Sequence, residues 1–357
     1  MGDILHALPA VTALRLAHPD WQIGWVVEPR WQPLLRAGNR DQGSEIKEEH
    51  DSALPIRDAA MPIVDRLHFA PSRDWKRHPF SANTRRAIGA LRRELRASGY
   101  SAVLDLQGAI RSAVIARMSG CPRRIGEAAP REWPAQWLFT ERVVTHGAHV
   151  IEQDLELASA VAGDALAAVE AQLTAPLLPI DPEAEAWCAN WLAATFPGPA
   201  QAIALITPGA GWGAKRWPPE RYATVAEALA ERGLHVVVNA GPGEEPLATT
   251  IASGSAVALT ATLPQLIALT RRIALCIGGD TGPLHLASAL GRPVVGIYGP
   301  TDPSRNGPYG TRARVLRSPD SRRDHSRRAA PDPGLLTISP DDVLRAADEL
   351  LAEESER

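Results

Sequence analysis

The stretch Cys276–Leu290 constrains the fold most, because a strand, a sharp turn and a helix follow one another within it. The apolar run Ile273–Ile277 predicts the strand, and the glycines after it end the strand. Asp280 and Thr281 favour the N-cap of a helix whose apolar face runs from Leu284 to Leu290. A helix that starts after a parallel strand presents free backbone N–H groups and a positive dipole end, which suits a phosphate. An ordinary capped turn with a core-facing histidine fits equally well, so other segments must decide.

Strand-like and helix-like segments alternate along most of the chain, which predicts an α/β fold with parallel, doubly wound sheets. A length of 357 residues suits two domains, and the three prolines within 175–182 forbid a continuous helix there. We therefore predict an N-terminal Rossmann-like domain over 1–174, a linker over 175–182, a C-terminal Rossmann-like domain over 183–335 and a final helix over 340–354. Ligands of such sheets bind at the carboxyl ends of the strands, so we expect a cleft between the halves.

Several segments of the first half carry their own expectations. The helix after Asp3 has an apolar face formed by Leu8, Val11, Leu14 and Leu16. An α/β unit normally has a strand before such a helix, so either the first strand is missing or the true start lies upstream. Gly38–Ala60 is predicted to be an exposed loop, and Ser72–His78 is predicted to be a basic loop. Asn83–Ser98 is predicted to be a helix with arginines on its solvent-exposed face.

Composition excludes several classes of protein. The formal net charge of −3 gives no overall attraction to nucleic acid, and no apolar run is long enough to span a membrane. Cys121, Cys188 and Cys276 lie too far apart for a metal knuckle or a disulfide framework, and no signal peptide is present, which fits a cytoplasmic location. With no DxD string and no histidine pair at ligand spacing, we predict no metal and no cofactor.

Two loops of the second half could bind a nucleotide. Pro208–Pro218 is rich in glycine, and we interpret it as a flexible loop that places Lys215 beside a diphosphate, although a solvated loop fits too. It is not a Walker loop, because arginine follows the lysine. Glu244 or Glu245 could accept hydrogen bonds from ribose hydroxyls, or could simply favour a helix N-terminus. In Tyr298–Pro303, Thr301 and Asp302 could line the cleft, although turn chemistry explains this segment without any ligand.

The first half offers a carboxylate and a basic cluster. Asp3 could take the proton of an attacking sugar hydroxyl, or could cap the helix that follows it. Arg73, Lys76 and Arg77 lie beside Trp75 and suit an acceptor with phosphates or carboxylates, although such charge runs are usually solvated.

Taken together, six motifs in order resemble those of the ADP-heptose:lipopolysaccharide heptosyltransferase family, which are glycosyltransferases of GT-B fold. The matching segments are Met1–Pro9 (MGDILHALP), Asp105–Gly108 (DLQG), His149–Glu152 (HVIE), Pro208–Pro218 (PGAGWGAKRWP), Gly279–His285 (GDTGPLH) and Tyr298–Pro303 (YGPTDP). The resemblance covers nearly the whole chain.

The resemblance implies an inverting, metal-independent transfer of heptose from ADP-heptose to the Kdo-lipid A acceptor. It implies that Asp3 is the general base and that Lys215 neutralises the leaving diphosphate. The residues that it implies for donor binding are Thr207, Lys215, Glu244, Glu245, Asp280, Thr281, Gly282, Pro283 and His285. Those implied for acceptor binding are Arg73, Lys76, Arg77 and Gln107. We expect a monomer in the cytoplasm, peripheral to the inner face of the inner membrane.

The subtype and the class of activity stay open at this point. The basic Arg73–Arg77 segment and the Asp105–Gly108 motif resemble the enzyme that adds the first heptose, whereas the Pro208–Pro218 loop is closer to the enzyme that adds the second. We favour the first. The alternatives are a nucleotide-sugar 2-epimerase of the same fold and a truncated, non-catalytic nucleotide-sugar binder. The absence of a strand followed by GxGxxG argues against a dehydrogenase.

Overall fold

A computed structural model describes residues 1–36, 62–170, 176–252, 254, 256–323 and 328–355. The chain divides into two compact units. One unit, here called the N-terminal unit, is His6–Pro179, and the other, the C-terminal unit, combines Met1–Leu5 with Ile180–Arg357. The predicted loop Gly38–Ala60 lies outside the described residues.

The N-terminal unit is built on two small parallel sheets. Its helices are α1 (Gly2–Ala17, which starts in the C-terminal unit), α2 (Ser72–Arg77), α3 (Ala82–Ala97), α4 (Ile110–Met118), α5 (Val150–Ala162) and α6 (Ala165–Glu170). Its strands are β1 (Gly24–Val27), β2 (Arg66–Phe69), β3 (Val103–Asp105), β4 (Arg124–Glu127) and β5 (Glu141–Val143). β1 pairs with β2, and β4 lies between β3 and β5. Two 3-10 helices, Pro29–Leu34 and Trp133–Leu138, complete the described elements.

Local chemistry explains where this unit departs from the sequence analysis. Ser72–Arg77 is a helix rather than the predicted loop, and Asp74 in its first turn and the cations of its last turn suit the helix dipole. On α1 the predicted apolar residues Leu8, Val11 and Leu14 are buried, but Leu16 is exposed, so the buried apolar face includes Leu14 but not Leu16.

The C-terminal unit contains one six-stranded parallel sheet. Its strands are β6 (Ile203–Thr207), β7 (His235–Asn239), β8 (Val257–Leu259), β9 (Leu275–Gly279), β10 (Val294–Tyr298) and β11 (Ala313–Arg317). Its helices are α7 (Pro182–Thr195), α8 (Pro219–Glu231), α9 (Glu245–Ile251), α10 (Leu263–Thr270), α11 (Gly282–Ala289), α12 (Pro303–Asn306) and α13 (Pro340–Ser355). The strand order is β11-β10-β9-β6-β7-β8, which is the doubly wound Rossmann order. These sheets confirm the predicted parallel α/β class.

The unpredicted elements of the C-terminal unit include α7 and β11. Pro182, the last proline of the predicted linker, lies in the first turn of α7 rather than in a connection. Asp181 caps this helix by accepting hydrogen bonds from the N–H groups of Glu183 and Ala184. A proline is favourable there because its missing N–H would have no helical partner. β11 pairs with β10 at the sheet edge, and its residues are only partly buried.

Candidate active site

The strand order fixes where a ligand can bind in the C-terminal unit. β6 and β9 are neighbours, but the chain leaves them towards opposite sides of the strand order, to β7 and to β10. A crevice forms outside the carboxyl ends of strands at such a switch point, and ligands of open α/β sheets bind there. Thr207 ends β6 opposite Gly278 of β9, so the Pro208–Pro218 loop and the Asp280 turn both start at this point.

A buried trio of side chains, which we call the charged trio after its Lys215–Asp280 ion pair, occupies the switch point. The Lys215 ammonium forms an ion pair with Asp280 Oδ2, and His285 Nε2 lies 3.0 Å from Asp280 Oδ1. Lys215 and Asp280 are each 10% exposed, and His285 is 6% exposed. Burial acts to raise the pKa of the Asp280 carboxyl, but its hydrogen bond to His285 and the charge of Lys215 outweigh burial, so its pKa is well below the ordinary value. The predicted residues Lys215, Asp280 and His285 are therefore together.

The start of α11 presents the groups expected at a phosphate site. Thr281 is the N-cap residue, but its side chain makes no cap hydrogen bond, and Gly282 and Pro283 form the first turn. The hydroxyl oxygens of Thr281, Tyr298 and Thr301 are buried and have no hydrogen-bond partner in the described part of the chain. Buried polar groups of this kind normally find a partner, and a polar ligand at the switch point would provide one.

Tyr298, which lies in a segment that the sequence analysis assigned to turn chemistry, lies close to Asp280 in the structure. It ends β10, next to β9, and its ring is fully buried. Burial raises the pKa of the Tyr298 phenol well above its ordinary value, and the nearby charge of Asp280 raises it further. The phenol is therefore a neutral hydrogen-bond donor beside the charged trio.

The second half of the Pro208–Pro218 loop is hydrogen-bonded to the segment around Arg328–Asp332. The Ala214 N–H donates to Arg328 O at 3.0 Å, and the Asp332 N–H donates to Ala214 O at 3.1 Å. A Cβ added at Gly213 would overlap the carbonyl oxygen of Ala329, so only glycine allows this approach. The Lys215 ammonium lies 4.3 Å from the centroid of the Trp212 ring, a cation–π contact that further fixes its direction.

The structure distinguishes Glu244 from Glu245. A Cβ added at Gly209 would overlap the Glu244 carboxylate, and one added at Gly241 would lie 3.5 Å from it, so this carboxylate lies between the ends of β6 and β7. The Glu245 carboxylate instead accepts a hydrogen bond from the Gly243 N–H at 2.9 Å and is exposed. Of the two candidates, only Glu244 is directed to the carboxyl end of β6.

Asp3 belongs to the same unit as the charged trio. It is exposed and lies in the first turn of α1. A Cβ added at Gly2 would lie 3.5 Å from His285 Cδ2, and one added at Gly282 would contact the Met1 side chain. The residues just before Asp3 therefore lie against the first turn of α11.

The basic residues predicted for the acceptor lie in the N-terminal unit. Arg73, Lys76 and Arg77 are exposed on α2, and Gln107 follows β3. Gln107 is in reach of this helix, because Arg111 Nη2 lies 3.5 Å from Gln107 Oε1 while Arg111 Nη1 donates to Ser72 Oγ at 3.0 Å. The structure thus connects α2 to the turn that follows β3.

A hydrogen-bonded network that was not predicted supports these basic residues. Ser72 Oγ donates to Glu28 Oε1 at 2.5 Å, and Arg30 Nε donates to Glu28 Oε2 at 3.0 Å. Burial acts to raise the pKa of Glu28, but the hydrogen bond from Ser72 and the charges of Arg30 and Arg73 outweigh burial and lower it. No motif in the sequence marks this network, whose residues Glu28, Ser72 and Arg111 follow β1, β2 and β3.

Comparison with known proteins decides the family. A family model described as glycosyltransferase family 9 (heptosyltransferase) matches residues 88–332. The chain belongs to glycosyltransferase family 9. It is 29% identical to lipopolysaccharide heptosyltransferase 1 of Escherichia coli over 327 residues, which cover 89% of this chain and 91% of that protein. This membership confirms the resemblance seen in the six motifs and identifies the protein as a glycosyltransferase.

Solved structures of family 9 proteins share the fold. A family 9 glycosyl transferase from Veillonella parvula matches with a TM-score of 0.76 and 20% identity, over 99% of this chain and 94% of that one. The Escherichia coli heptosyltransferase WaaC with ADP-2-deoxy-2-fluoro heptose matches with a TM-score of 0.71 and 25% identity, over 98% and 96% of the two chains. The matches include both units, which confirms the predicted GT-B class.

Two properties of the described residues concern membranes and metals. Throughout the described ranges, no helix combines the length and apolarity needed to cross a bilayer. Likewise, the described residues contain no group of three or more histidine, cysteine, aspartate or glutamate side chains that could hold a metal ion.

Proposed function

We propose that this protein transfers heptose from ADP-heptose to the Kdo-containing inner core of lipopolysaccharide, with inversion at the anomeric carbon and without a metal ion. The observation that carries the proposal is the Lys215–Asp280–His285 trio at the switch point of the C-terminal sheet. A relative with 29% identity is named for lipopolysaccharide heptose transfer, and a solved neighbour holds an ADP-heptose analogue. Both fit a sugar diphosphate at this trio.

The donor diphosphate is proposed to bind between Lys215 and the N-terminus of α11. The Lys215 ammonium supplies a positive charge for the departing phosphate oxygens, which is the role that a metal ion has in other transferases. The backbone N–H groups of Thr281 and Gly282 can donate to the phosphates, whereas Pro283 has no N–H. Glu244 is proposed to accept from the ribose hydroxyls, and Thr207 lines the end of β6.

Asp3 is proposed to act as the general base. The acceptor hydroxyl oxygen attacks the anomeric carbon, its proton moves to the Asp3 carboxylate, and the bond from the anomeric carbon to the phosphate oxygen breaks. ADP leaves with that electron pair, and Lys215 offsets its charge. The exposure of Asp3 supports this role, because a base must reach the hydroxyl of a second substrate.

The N-terminal unit is proposed to bind the acceptor. Arg73, Lys76, Arg77 and Gln107 present cations and an amide to the phosphates and carboxylates of a Kdo-lipid A acceptor, and guanidinium groups bind such anions in a bidentate way. The first-heptose enzyme remains our preferred subtype, and a second-heptose enzyme is the alternative. We further propose a monomer that works in the cytoplasm at the inner face of the inner membrane.

A donor panel tests the reaction directly. ADP-heptose, GDP-sugars and UDP-sugars are each offered with deacylated Kdo-lipid A, and the product is analysed by NMR for its anomeric configuration. We expect transfer from ADP-heptose alone, with inverted configuration and with an unchanged rate in EDTA. Conversion of the donor without an acceptor, or retention of configuration, would contradict the proposal.

Variants at Asp3 test the base. Asp3→Ala is expected to keep donor binding and to lower turnover by about 100-fold or more, since general bases contribute about that much. Calorimetry with the fluorinated ADP-heptose analogue checks binding. Near-wild-type turnover would remove Asp3 from the mechanism.

A further inference from the structure

Three helices of the N-terminal unit lie side by side in one layer. Leu91 and Leu95 of α3 pack in one cluster with Ile115 of α4. Ala113 of α4 packs with Ala135 of the Trp133–Leu138 helix in a second cluster. We call these three adjoining helices, with their exposed side chains, the α3–α4 layer.

The outer face of this layer is strongly basic. α3 and α4 carry one acidic residue, Glu94, whereas the full chain has a formal charge of −3. Their arginines are all exposed: Arg85, Arg86, Arg92, Arg93, Arg96, Arg111 and Arg117. A surface with such an excess of cations, on a protein that is slightly acidic overall, attracts a polyanionic partner.

The same layer exposes large apolar side chains. Trp133 and Trp137 are 60% and 66% exposed, and their rings make an edge-to-face contact with centroids 4.5 Å apart. Ile110 and Val114 are the exposed apolar residues of α4. The Ile110 N–H donates to the Glu132 carboxylate at 2.8 Å, so the tryptophan pair starts beside the first turn of α4.

From this combination we propose that the α3–α4 layer is a docking surface for a bilayer that contains anionic lipid. Tryptophan rings favour the level of the lipid headgroups, and clustered arginines are attracted to anionic leaflets. An acidic protein would account for the arginines but not for the exposed tryptophan pair. A single-stranded nucleic acid could stack its bases on the tryptophans, but it would leave the exposed Ile110 and Val114 without an apolar partner. The preference for a lipid also rests on the proposed function, whose acceptor is a membrane lipid.

Docking by this face would serve the acceptor reaction. α4 begins three residues after Gln107, and Arg111 of its first turn contacts Ser72 of α2. A membrane held against the layer therefore lies near the residues that we propose for the acceptor.

Flotation of the full-length protein with vesicles tests the proposal without donor or acceptor. Vesicles of phosphatidylethanolamine with phosphatidylglycerol are compared with phosphatidylcholine vesicles. We expect binding to the anionic vesicles only, weakened by salt because surface charges are screened.

The double variant Arg92→Ala with Arg93→Ala should lower partitioning about tenfold or more, since each cation near an anionic surface contributes about one kcal/mol. The double variant Trp133→Ala with Trp137→Ala should also lower partitioning and abolish quenching by brominated lipid.

Matched pairs in the C-terminal unit provide the controls. Arg322 and Arg323 are adjacent exposed arginines, and Trp187 and Trp191 form a stacked tryptophan pair with centroids 5.8 Å apart. Alanine variants of these pairs should bind vesicles like the wild type, and circular dichroism establishes that all variants are folded.

The outcomes separate this proposal from the proposed function. If both stand, Arg92→Ala with Arg93→Ala slows transfer to acceptor in anionic vesicles but not to deacylated acceptor in solution. If wild-type protein binds anionic vesicles but transfers no heptose, the proposed function fails and the docking surface stands. Equal binding to both vesicle types, no vesicle binding, or variants that bind like the wild type would overturn the docking surface.

Discussion

The charged trio at the switch point makes a quantitative prediction about stability. Removing one partner of a buried ion pair costs about 3–5 kcal/mol, because the other charge remains buried. Lys215 and Asp280 retain 10% exposure each, and His285 still contacts the second oxygen of Asp280. We therefore expect the lower end of the range, about 3 kcal/mol, for Lys215→Met, and about 2 kcal/mol for Asp280→Asn, whose amide oxygen still accepts a hydrogen bond.

The double variant separates the pair from its surroundings. When both charges are removed, neither is left unpaired, so the double variant should be more stable than the sum of the single losses by about 2 kcal/mol. As a control, Arg232 and Asp348 form an ion pair at 3.1 Å with 37% and 51% exposure. The same cycle on that exposed pair should give a coupling of at most about 0.5 kcal/mol.

Urea unfolding followed by circular dichroism measures these differences. With an m value of about 3 kcal/mol per molar urea, Lys215→Met should lower the midpoint by about 1 M. The m value must stay constant for the comparison to hold. Single variants within about 0.5 kcal/mol of the wild type, or a double variant equal to the sum of the singles, would refute the argument that this pair is a coupled, buried unit.

Three further predictions concern neighbouring groups. Glu244→Ala should raise the KM for ADP-heptose about tenfold while Glu245→Ala leaves it unchanged, because only Glu244 is directed to β6; equal effects in steady-state kinetics would contradict this. Ser72→Ala removes the bridge between Glu28 and Arg111, so it should raise the acceptor KM several-fold and leave the donor KM unchanged in the same assay. Because folding lowers the pKa of Asp280, its contribution to stability is present above its unfolded pKa of about 4 and is lost as the pH falls below that value. Acid unfolding curves should therefore be steeper below pH about 4 for the wild type than for Asp280→Asn, and parallel curves would contradict this assignment.

The sequence was most informative where function depends on neighbours in the chain. The strand, turn and helix around Asp280 were predicted, because strand, glycines and N-cap follow one another locally. Asp280 and His285 lie only five residues apart, on either side of the N-cap residue Thr281, so their contact is local in the chain. By contrast, the ion pair with Lys215 spans 65 positions and depends on β6 and β9 being neighbours.

Contacts distant in the sequence also explain what was missed. The Pro208–Pro218 loop has the glycine content of a flexible segment, yet Gly213 serves instead to admit the backbone of Ala329. Glycine permits both freedom and close approach, and only the partner segment decides between them. The link between Glu28 and Ser72 likewise joins positions 44 residues apart, at the ends of adjacent strands.

The trio also suggests why Asp280 is part of a site for an anionic donor. A lone Lys215 ammonium in this buried position would suffer a desolvation cost, and a flexible side chain would turn towards water. Asp280 offsets that cost and, with the Trp212 ring, holds the ammonium in place before the donor arrives. A preorganised charge is more effective in stabilising a departing phosphate than one that must reorient during the reaction. Asp280 thus acts on the donor through Lys215, so losing Asp280 should misdirect the cation, whereas losing Lys215 removes it.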